Sequence, residues 1–476
     1  MTTKPLFLYN TATRTKERFN LPEGVPEVRL YACGPTVYHY AHIGNLRTYL
    51  FEDLLRRSLE YFGFKVRHVM NITDVGHLTS DEDEGEDKME MGAERTGKSV
   101  WEVAEYYTKK FKEDLKLLNI IPPTIWCKAT DHIKDQIELI RKLEEKGYTY
   151  RTSDGIYFDS LKFPKYADFA HIDIAGLKSG ARIDQGEKKF ATDFALWKFS
   201  PKNRKRAMEW DSPWGVGFPG WHVECSAMSM AYLGETLDIH CGGTDHIRVH
   251  HTNEIAQSEC ATGKQFVRFW MHGEFLREGF PKDGVAEKMS KSSGDFLTLD
   301  VLIRKGFDPI VYRLFSLTSH YRSYLNFSWE AMENARISLS ALRRRIEPFI
   351  SLDGEVKSVD AREWSLKFRE YIADDLNSSA ALGVLNLMLA DSSLEGGEKA
   401  ALIREFDSVL GLNLLKKAEK PKHSADETAK AESFIEERNA ARAAKNWAES
   451  DRLRDVLLAL GVVVQDNKDG TSWEWK

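Results

Sequence analysis

The sequence predicts an α/β protein: a doubly wound parallel-sheet domain of the nucleotide-binding (Rossmann) type with an α+β insertion, then an α-helical bundle and a small C-terminal unit. Three observations predict it. Val28 to Cys33 reads as a short buried strand that Gly34-Pro35-Thr36 breaks. From Asn45 to Phe62, Leu46, Leu50, Leu54, Leu55, Leu59 and Phe62 recur at helical spacing, Gly63 supplies the stop, and Lys65 to Ile72 reads as the next strand. A second such unit comes later: Ser226 to Leu233 helical, Thr236 to Cys241 a strand, Gly242-Gly243 a turn, and Val249 to Cys260 helical. In such folds ligands sit beyond the carboxyl ends of the strands.

The elements divide the chain in order. Residues 1–121 form the first half of the nucleotide domain and 214–310 the second, with an insertion at 122–213 that mixes a helix (Ile133 to Lys146) with strand-like pieces such as Gly155 to Phe158. Residues 311–415 are helical and Arg-rich, as in Glu333 to Ile346; a polar break from Lys416 to Ser424 precedes the last unit, 425–476.

At 476 residues, the chain is too long for one ordinary core. With 42% hydrophobic and 29% charged residues it reads as a soluble globular protein. Met1 to Asn10 lacks the pattern of a secretory leader and no apolar run reaches membrane-spanning length, so a cytoplasmic protein without membrane contact is expected. Five scattered cysteines argue for reduced thiols or metal ligands over a disulfide framework. A net charge of −6 gives no global attraction for nucleic acid, so a polyanion must be held by local basic faces.

Gly92-Ala-Glu-Arg-Thr-Gly97-Lys98-Ser99 fits the phosphate-loop pattern, but such a loop must hang from a buried strand, and Glu84 to Met91 carry no strand pattern. Ser99 as a helix N-cap, with Glu102 completing a capping box, is the preferred reading. The acidic run Asp81 to Asp87 reads as a solvated loop.

Two other strings carry more chemistry. His42-Ile-Gly44-Asn45 lies where a strand gives way to a helix, where free amides and the helix dipole favour an anion. Lys288-Met-Ser-Lys291-Ser292 sets two cations and two hydroxyls in a loop, able to neutralise charge growing on a departing pyrophosphate. With Tyr31 to Tyr38, Asn71 to Asp74, Gly220 to Met228, His250 to Gln257, His320 to Ser328 and Glu437 to Lys445, these strings resemble the cysteinyl-tRNA synthetase family of class I aminoacyl-tRNA synthetases nearly end to end. Two departures stand out. Asn45 replaces the usual His, keeping a donor but no charge, and Gly76 stands where the family often has an acid.

The resemblance implies a ligase acting on ATP, L-cysteine and tRNA(Cys). It implies a zinc ion held by Cys33, Cys225, His250 and Glu254, with Mg²⁺ accompanying ATP. Thr36, His42, Gly44, Asn45, Asp245 and Lys291 would contact ATP, and His42, Asn45, Lys288 and Lys291 would carry catalysis. Thr73, Trp221 and His240 would surround the cysteine, although Trp221 also suits core packing. From the residues alone, Cys33 and Cys225 also read as buried small residues, His250 as part of the phosphate site, and Cys241 as an alternative ligand. His250 and Glu254, four apart on a helix, face the same way and suit Zn²⁺ together with two thiolates. Such a metal separates cysteine from serine, which an apolar pocket rejects poorly.

The C-terminal cations Arg343, Arg344, Arg345, Arg438, Arg442, Lys445, Arg452 and Arg454, with Trp473 and Trp475, suit RNA. Asp466 and Gly470 to Trp473 resemble the family's anticodon-reading end. A monomer is expected. Two other readings stay open: a cysteine ligase acting on a small amine, disfavoured by residues 425–476, and an RNA-binding paralogue without catalysis, disfavoured by His42, Lys288 and Lys291 together.

Overall fold

The computed structural model describes residues 5–77, 87–172, 187–201, 205–278, 297–416, 425–467 and 470–475, in two units, Met1–Leu415 and Lys416–Lys476. The first unit opens with an antiparallel hairpin of β1 (Phe7–Asn10) and β2 (Thr15–Arg18). Its main sheet takes β3 (Val28–Ala32), β4 (Val66–Ile72) and β5 (Ile125–Lys128) from the first part of the chain. A smaller antiparallel sheet follows, of β6 (Thr149–Arg151), β7 (Gly155–Phe158), β8 (Phe194–Phe199) and β9 (Gly217–Pro219). The chain then returns to the main sheet with β10 (Leu237–Gly243) and β11 (Val267–Gly273).

The main sheet is parallel throughout, in the order β11, β10, β3, β4, β5. The winding direction reverses between β3 and β10, and a crevice opens at their carboxyl ends. Two strand memberships differ from the expected divisions. Ile125–Lys128, placed by sequence in the insertion, is the edge strand beside β4, and Gly217–Pro219, placed outside it, closes the small sheet. At four and three residues, these strands are too short for alternation to declare which sheet they join.

Side chains alternate between the two faces of the main sheet. Leu30, Ala32, Met70, Ile72, Ile239, Cys241, Phe269 and Met271 join the core that holds the helix Ile43–Tyr61 (α1). Tyr31, Cys33, Val69 and Trp270 join Cys225, Met228 and Leu233 of the helix Trp221–Leu233 in another. The leucines of α1 predicted from spacing are all buried, each worth about 1.5–3 kcal/mol against exposure. Cys241 therefore belongs with α1, away from Cys33 and Cys225, and is not an alternative ligand.

The helices Pro309–Leu317, Trp329–Ile346, Val359–Ala373, Ser378–Ala390 and Gly396–Leu410 share the core of α1. One buried ion pair ties them to it. Arg313 donates to Asp53 Oδ2 (2.6 Å), Leu410 O (2.7 Å) and Leu118 O (3.1 Å), while Asp53 also accepts from Arg57 (2.7 Å).

Beyond the main sheet, β12 (Leu276–Glu278) pairs parallel with β13 (Leu325–Phe327). In the second unit, helices Ala425–Ala443 and Trp447–Ala459 precede a hairpin of β14 (Val462–Asn467) and β15 (Gly470–Trp475). Ala431, Ile435, Leu457 and Val462 form its core, and buried Arg438 makes a bidentate contact with Asp466 at 3.0 and 2.8 Å. Among the described residues no helix is long and apolar enough to cross a membrane.

Candidate active site

The crevice between β3 and β10 holds a cleft of about 190 Å³. Cys33, Thr36, Asn45, Trp221 and Asp245, all predicted as site residues, line it; so do Tyr38, Tyr40, Lys88, Tyr107 and His246, which were not given a site role. The remaining predicted residues surround it differently. Cys225, His250 and Glu254 are buried beneath Cys33. Thr73 and His240 are sealed in buried networks rather than lining the cleft: Thr73 donates to Glu224 Oε2 (3.1 Å), and His240 Nε2 lies 3.0 Å from Glu254 Oε2.

The start of α1 explains the first string. His42 is its N-cap: the Nδ1 atom accepts from the Asn45 backbone N–H (3.0 Å), and Asn45 Oδ1 accepts from the His42 N–H (3.4 Å). Because Nδ1 accepts, the ring proton sits on Nε2, where it can be donated to an anion. Asn45 thus has a structural use that the helical pattern did not reveal. A Cβ at Gly44 would lie 2.9 Å from the His42 ring, so only glycine permits this box. Leu297 is tied to the same place, its O accepting from the Ile43 N–H (2.8 Å). Buried Arg47 of α1 donates to Glu274 O and Phe275 O, both at 2.7 Å. Lys288 and Lys291 lie outside the described residues.

The four predicted ligands converge. Sγ of Cys33 and Cys225, one ring nitrogen of His250 and one carboxylate oxygen of Glu254 all lie within 4.8 Å of one another, and all four residues are buried. Local structure brings the last two together. A π-helical turn, Ile247–His251, runs straight into the helix Thr252–Thr262, setting His250 Nε2 3.1 Å from Glu254 Oε1. That oxygen is close to the ring yet accepts no aligned hydrogen bond, which suits an atom with a further partner. His251 offers a second grouping with Cys33, His240 and Glu254: its Nε2 lies 3.5 Å from Cys33 Sγ, while its Nδ1 pairs with His272 Nε2 at 2.8 Å.

Charge in the cluster is arranged for a cation. Burial alone would raise the Glu254 carboxyl, but His240 and His250 outweigh it and bring it down to about 2. The hydrogen bond with Cys33, against burial, lowers the Cys225 thiol to about 6, while burial pushes Cys33 up. Burial alone would lower His250, but Cys225 and Glu254 raise it to about 10. Two sulfurs, an imidazole and a carboxylate at this spacing fit a tetrahedral ion with bonds of about 2.0–2.3 Å. A buried cluster able to hold a metal ion is present.

The rejected phosphate loop has the predicted alternative geometry. Ser99 caps the helix Val100–Leu117 in a capping box with Glu102, and the residues before it form a helix, Lys88–Thr96. The acidic run needs correction at its last member. Asp87 is buried; it caps that helix and pairs with buried Arg206. It also explains Gly76, where a Cβ would lie 2.3 Å from Asp87 Oδ2.

Residues 22–337 match the family described as tRNA synthetases class I (C) catalytic domain, and residues 424–473 match the cysteinyl-tRNA ligase anticodon binding domain. The fold is shared with Mycobacterium tuberculosis methionyl-tRNA synthetase bound by methionyl-adenylate (TM-score 0.56, 16% identity, 82% of this chain and 90% of that one). Sheet order, crevice and family match together define a class I aminoacyl-tRNA synthetase. The relatives narrow the class. The chain is 52% identical to cysteine–tRNA ligase 1 of Burkholderia lata (98% of this chain, 96% of that protein) and 45% identical to cysteine–tRNA ligase of Treponema denticola (98% and 99%). It belongs to the cysteine–tRNA ligase family.

Proposed function

We propose that this chain, as a cytoplasmic monomer, activates L-cysteine with ATP to cysteinyl-adenylate and transfers the cysteinyl group to the 3′ end of tRNA(Cys). The observation that carries this reading is the convergence of Cys33, Cys225, His250 and Glu254 at the cleft that α1 enters with its capped N-terminus.

Cys33, Cys225, His250 and Glu254 hold a zinc ion in this reading. Bound there, zinc favours a substrate thiolate over the alkoxide of serine, which is how cysteine is selected. The protein's own groups do the rest. His42 Nε2 and the Asn45 side chain receive ATP phosphates, with Gly44 and Thr36 beside them and Asp245 at the adenosine. Lys288 and Lys291 neutralise the departing pyrophosphate, and Mg²⁺ accompanies ATP. Trp221 packs against His250 with ring centroids 4.7 Å apart, which suits a wall of the cysteine pocket. Thr73 and His240 hold that pocket from behind, through Glu224 and Glu254. The carboxylate attacks the α-phosphorus in line, a step that needs positioning and charge stabilisation more than covalent help. Residues 425–476 read the anticodon.

Cysteine-dependent ATP/pyrophosphate exchange followed by tRNA charging tests the reading. Exchange without charging would point to a small-amine ligase, and no exchange would refute activation altogether. Cys225→Ala should lower zinc content and cysteine activation together; full activity in zinc-free mutant protein would remove the metal from the mechanism.

A further inference from the structure

Among the described residues lining the cleft, Lys88 is the one lysine or arginine. Its Nζ stands 5.5 Å from the centroid of the Trp221 ring, and that ring lies 4.7 Å from His250 of the metal cluster. Lys88 is therefore on the amino-acid side of the cleft.

Its backbone is fixed from two directions. The Lys88 N–H donates to His77 O (2.8 Å), and His77 Nε2 lies 2.6 Å from Glu224 Oε1, on the helix that carries Trp221 and Cys225. Asp87, the preceding residue, accepts from Met89 N–H (2.7 Å) and Glu90 N–H (3.1 Å), and its other oxygen is held by Arg206, which also donates to Gly76 O (2.6 Å). Arg206 in turn lies over the Phe218 ring at 3.4 Å. Lys88 is thus placed by buried groups relative to the same helix that supplies a metal ligand. Pre-positioned charge of this kind costs little reorganisation when substrate arrives.

Adenylate formation must bring two anions together, a carboxylate and an α-phosphate. A cysteine with its thiol held at the metal cluster would set its carboxylate up the cleft, beside Trp221. We propose that Lys88 is the group that binds the α-carboxylate of the amino acid and holds it for attack. The inference rests on the cysteine-activating reading above.

Zinc-loaded Lys88→Met and Lys88→Arg proteins test it, with wild type alongside. A charge-assisted contact of this kind is worth at least about tenfold in affinity. In Lys88→Met, calorimetric affinity for L-cysteine without ATP should fall at least about tenfold, and KM for cysteine in exchange should rise equally, with KM for ATP within about twofold. Lys88→Arg should recover part of the loss. The inhibition constant of L-cysteine methyl ester, which lacks the carboxylate charge, should stay within about twofold of wild type. An equal loss for ester and acid would mean that Lys88 only props Trp221, and a loss confined to ATP would move the contact to phosphate; either overturns the proposal, as does unchanged cysteine binding. Wild type that fails to bind or activate cysteine would instead overturn the functional reading itself.

Discussion

Replacing Arg313 with Met probes the joint between α1 and the helical bundle. The Arg313 and Asp53 side chains are both 0% exposed and meet at 2.6 Å. Removing one partner of a buried pair costs about 3–5 kcal/mol when the other is left unpaired. Asp53 keeps Arg57 (2.7 Å) and the Ile121 N–H (2.8 Å), and Asn119 O keeps Arg57 (2.7 Å), so the loss reduces to one of Asp53's three partners and the donor to the carbonyls of Leu118 and Leu410. The lower end, about 3 kcal/mol, is expected. This corresponds to a fall of about 3–8 °C in melting temperature for a large unit. Calorimetry of wild type and Arg313→Met at pH 8 measures it. The deficit has a pH signature. Burial alone would raise the Asp53 carboxyl, but Arg313 and Arg57 hold it below its ordinary value. Its stabilising contribution is present above the unfolded carboxylate pKa and lost as pH falls through the lower folded one. Without Arg313 the folded pKa rises, so protonation relieves the mutant first and the gap narrows as pH approaches about 4. A loss under about 1 kcal/mol, or a gap independent of pH, would refute this account of the joint.

Other expectations follow from the same geometry. Lys98→Ala should leave pyrophosphate exchange within about twofold, since Lys98 lies over the Tyr106 ring (4.4 Å) next to a helix cap; a loss above about a hundredfold would restore the phosphate-loop reading. Gly76→Ala should cost about 1–3 kcal/mol, read as a lower urea midpoint, and raise KM for cysteine by displacing Asp87 from Arg206. In the C-terminal unit, hydrogen bonding from Arg438 holds Asp466 down at about 2. Its contribution is present above about 3.9 and lost as pH falls through about 2, and screening at this partly exposed pair limits it to about 1 kcal/mol. Asp466→Asn should therefore speed hydrogen exchange in residues 425–475 at pH 7, with a shrinking effect below pH of about 3. Light scattering should give the 54.5 kDa mass of a single chain.

The longest elements were legible in the sequence. The leucines of α1 recur on its buried face and need nothing from the rest of the chain, and Lys65 to Ile72 reads as a strand that the structure has as β4. What the sequence hid is long-range. Glu224 gives no periodic signal, yet it holds Thr73 and His77 behind the cleft. Asp87 and Lys88 are lost in a charged run, and only Arg206, far along the chain, turns one into a buried cap and fixes the other at the cleft. The ligand set was reached through resemblance, because Cys33 and Glu254 belong to distant segments. His251 and His272, which crowd the same cluster, were missed for the same reason.

The junction of β3 with β10 carries a temporal consequence. Those neighbours are separated by about 200 residues of chain. A ribosome adding about 5–20 residues per second leaves the edge of β3 waiting about 10 to 40 seconds for its mate. For most of that interval the nascent protein owns half a crevice and one cysteine of the cluster; Cys225 comes near its end, and His250 and Glu254 only after β10. If the cluster takes zinc as proposed, its ligand set is complete only once Glu254 is made, and chains truncated before Leu237, which hold Cys33 and Cys225 but neither His250 nor Glu254, should retain less zinc than the whole protein.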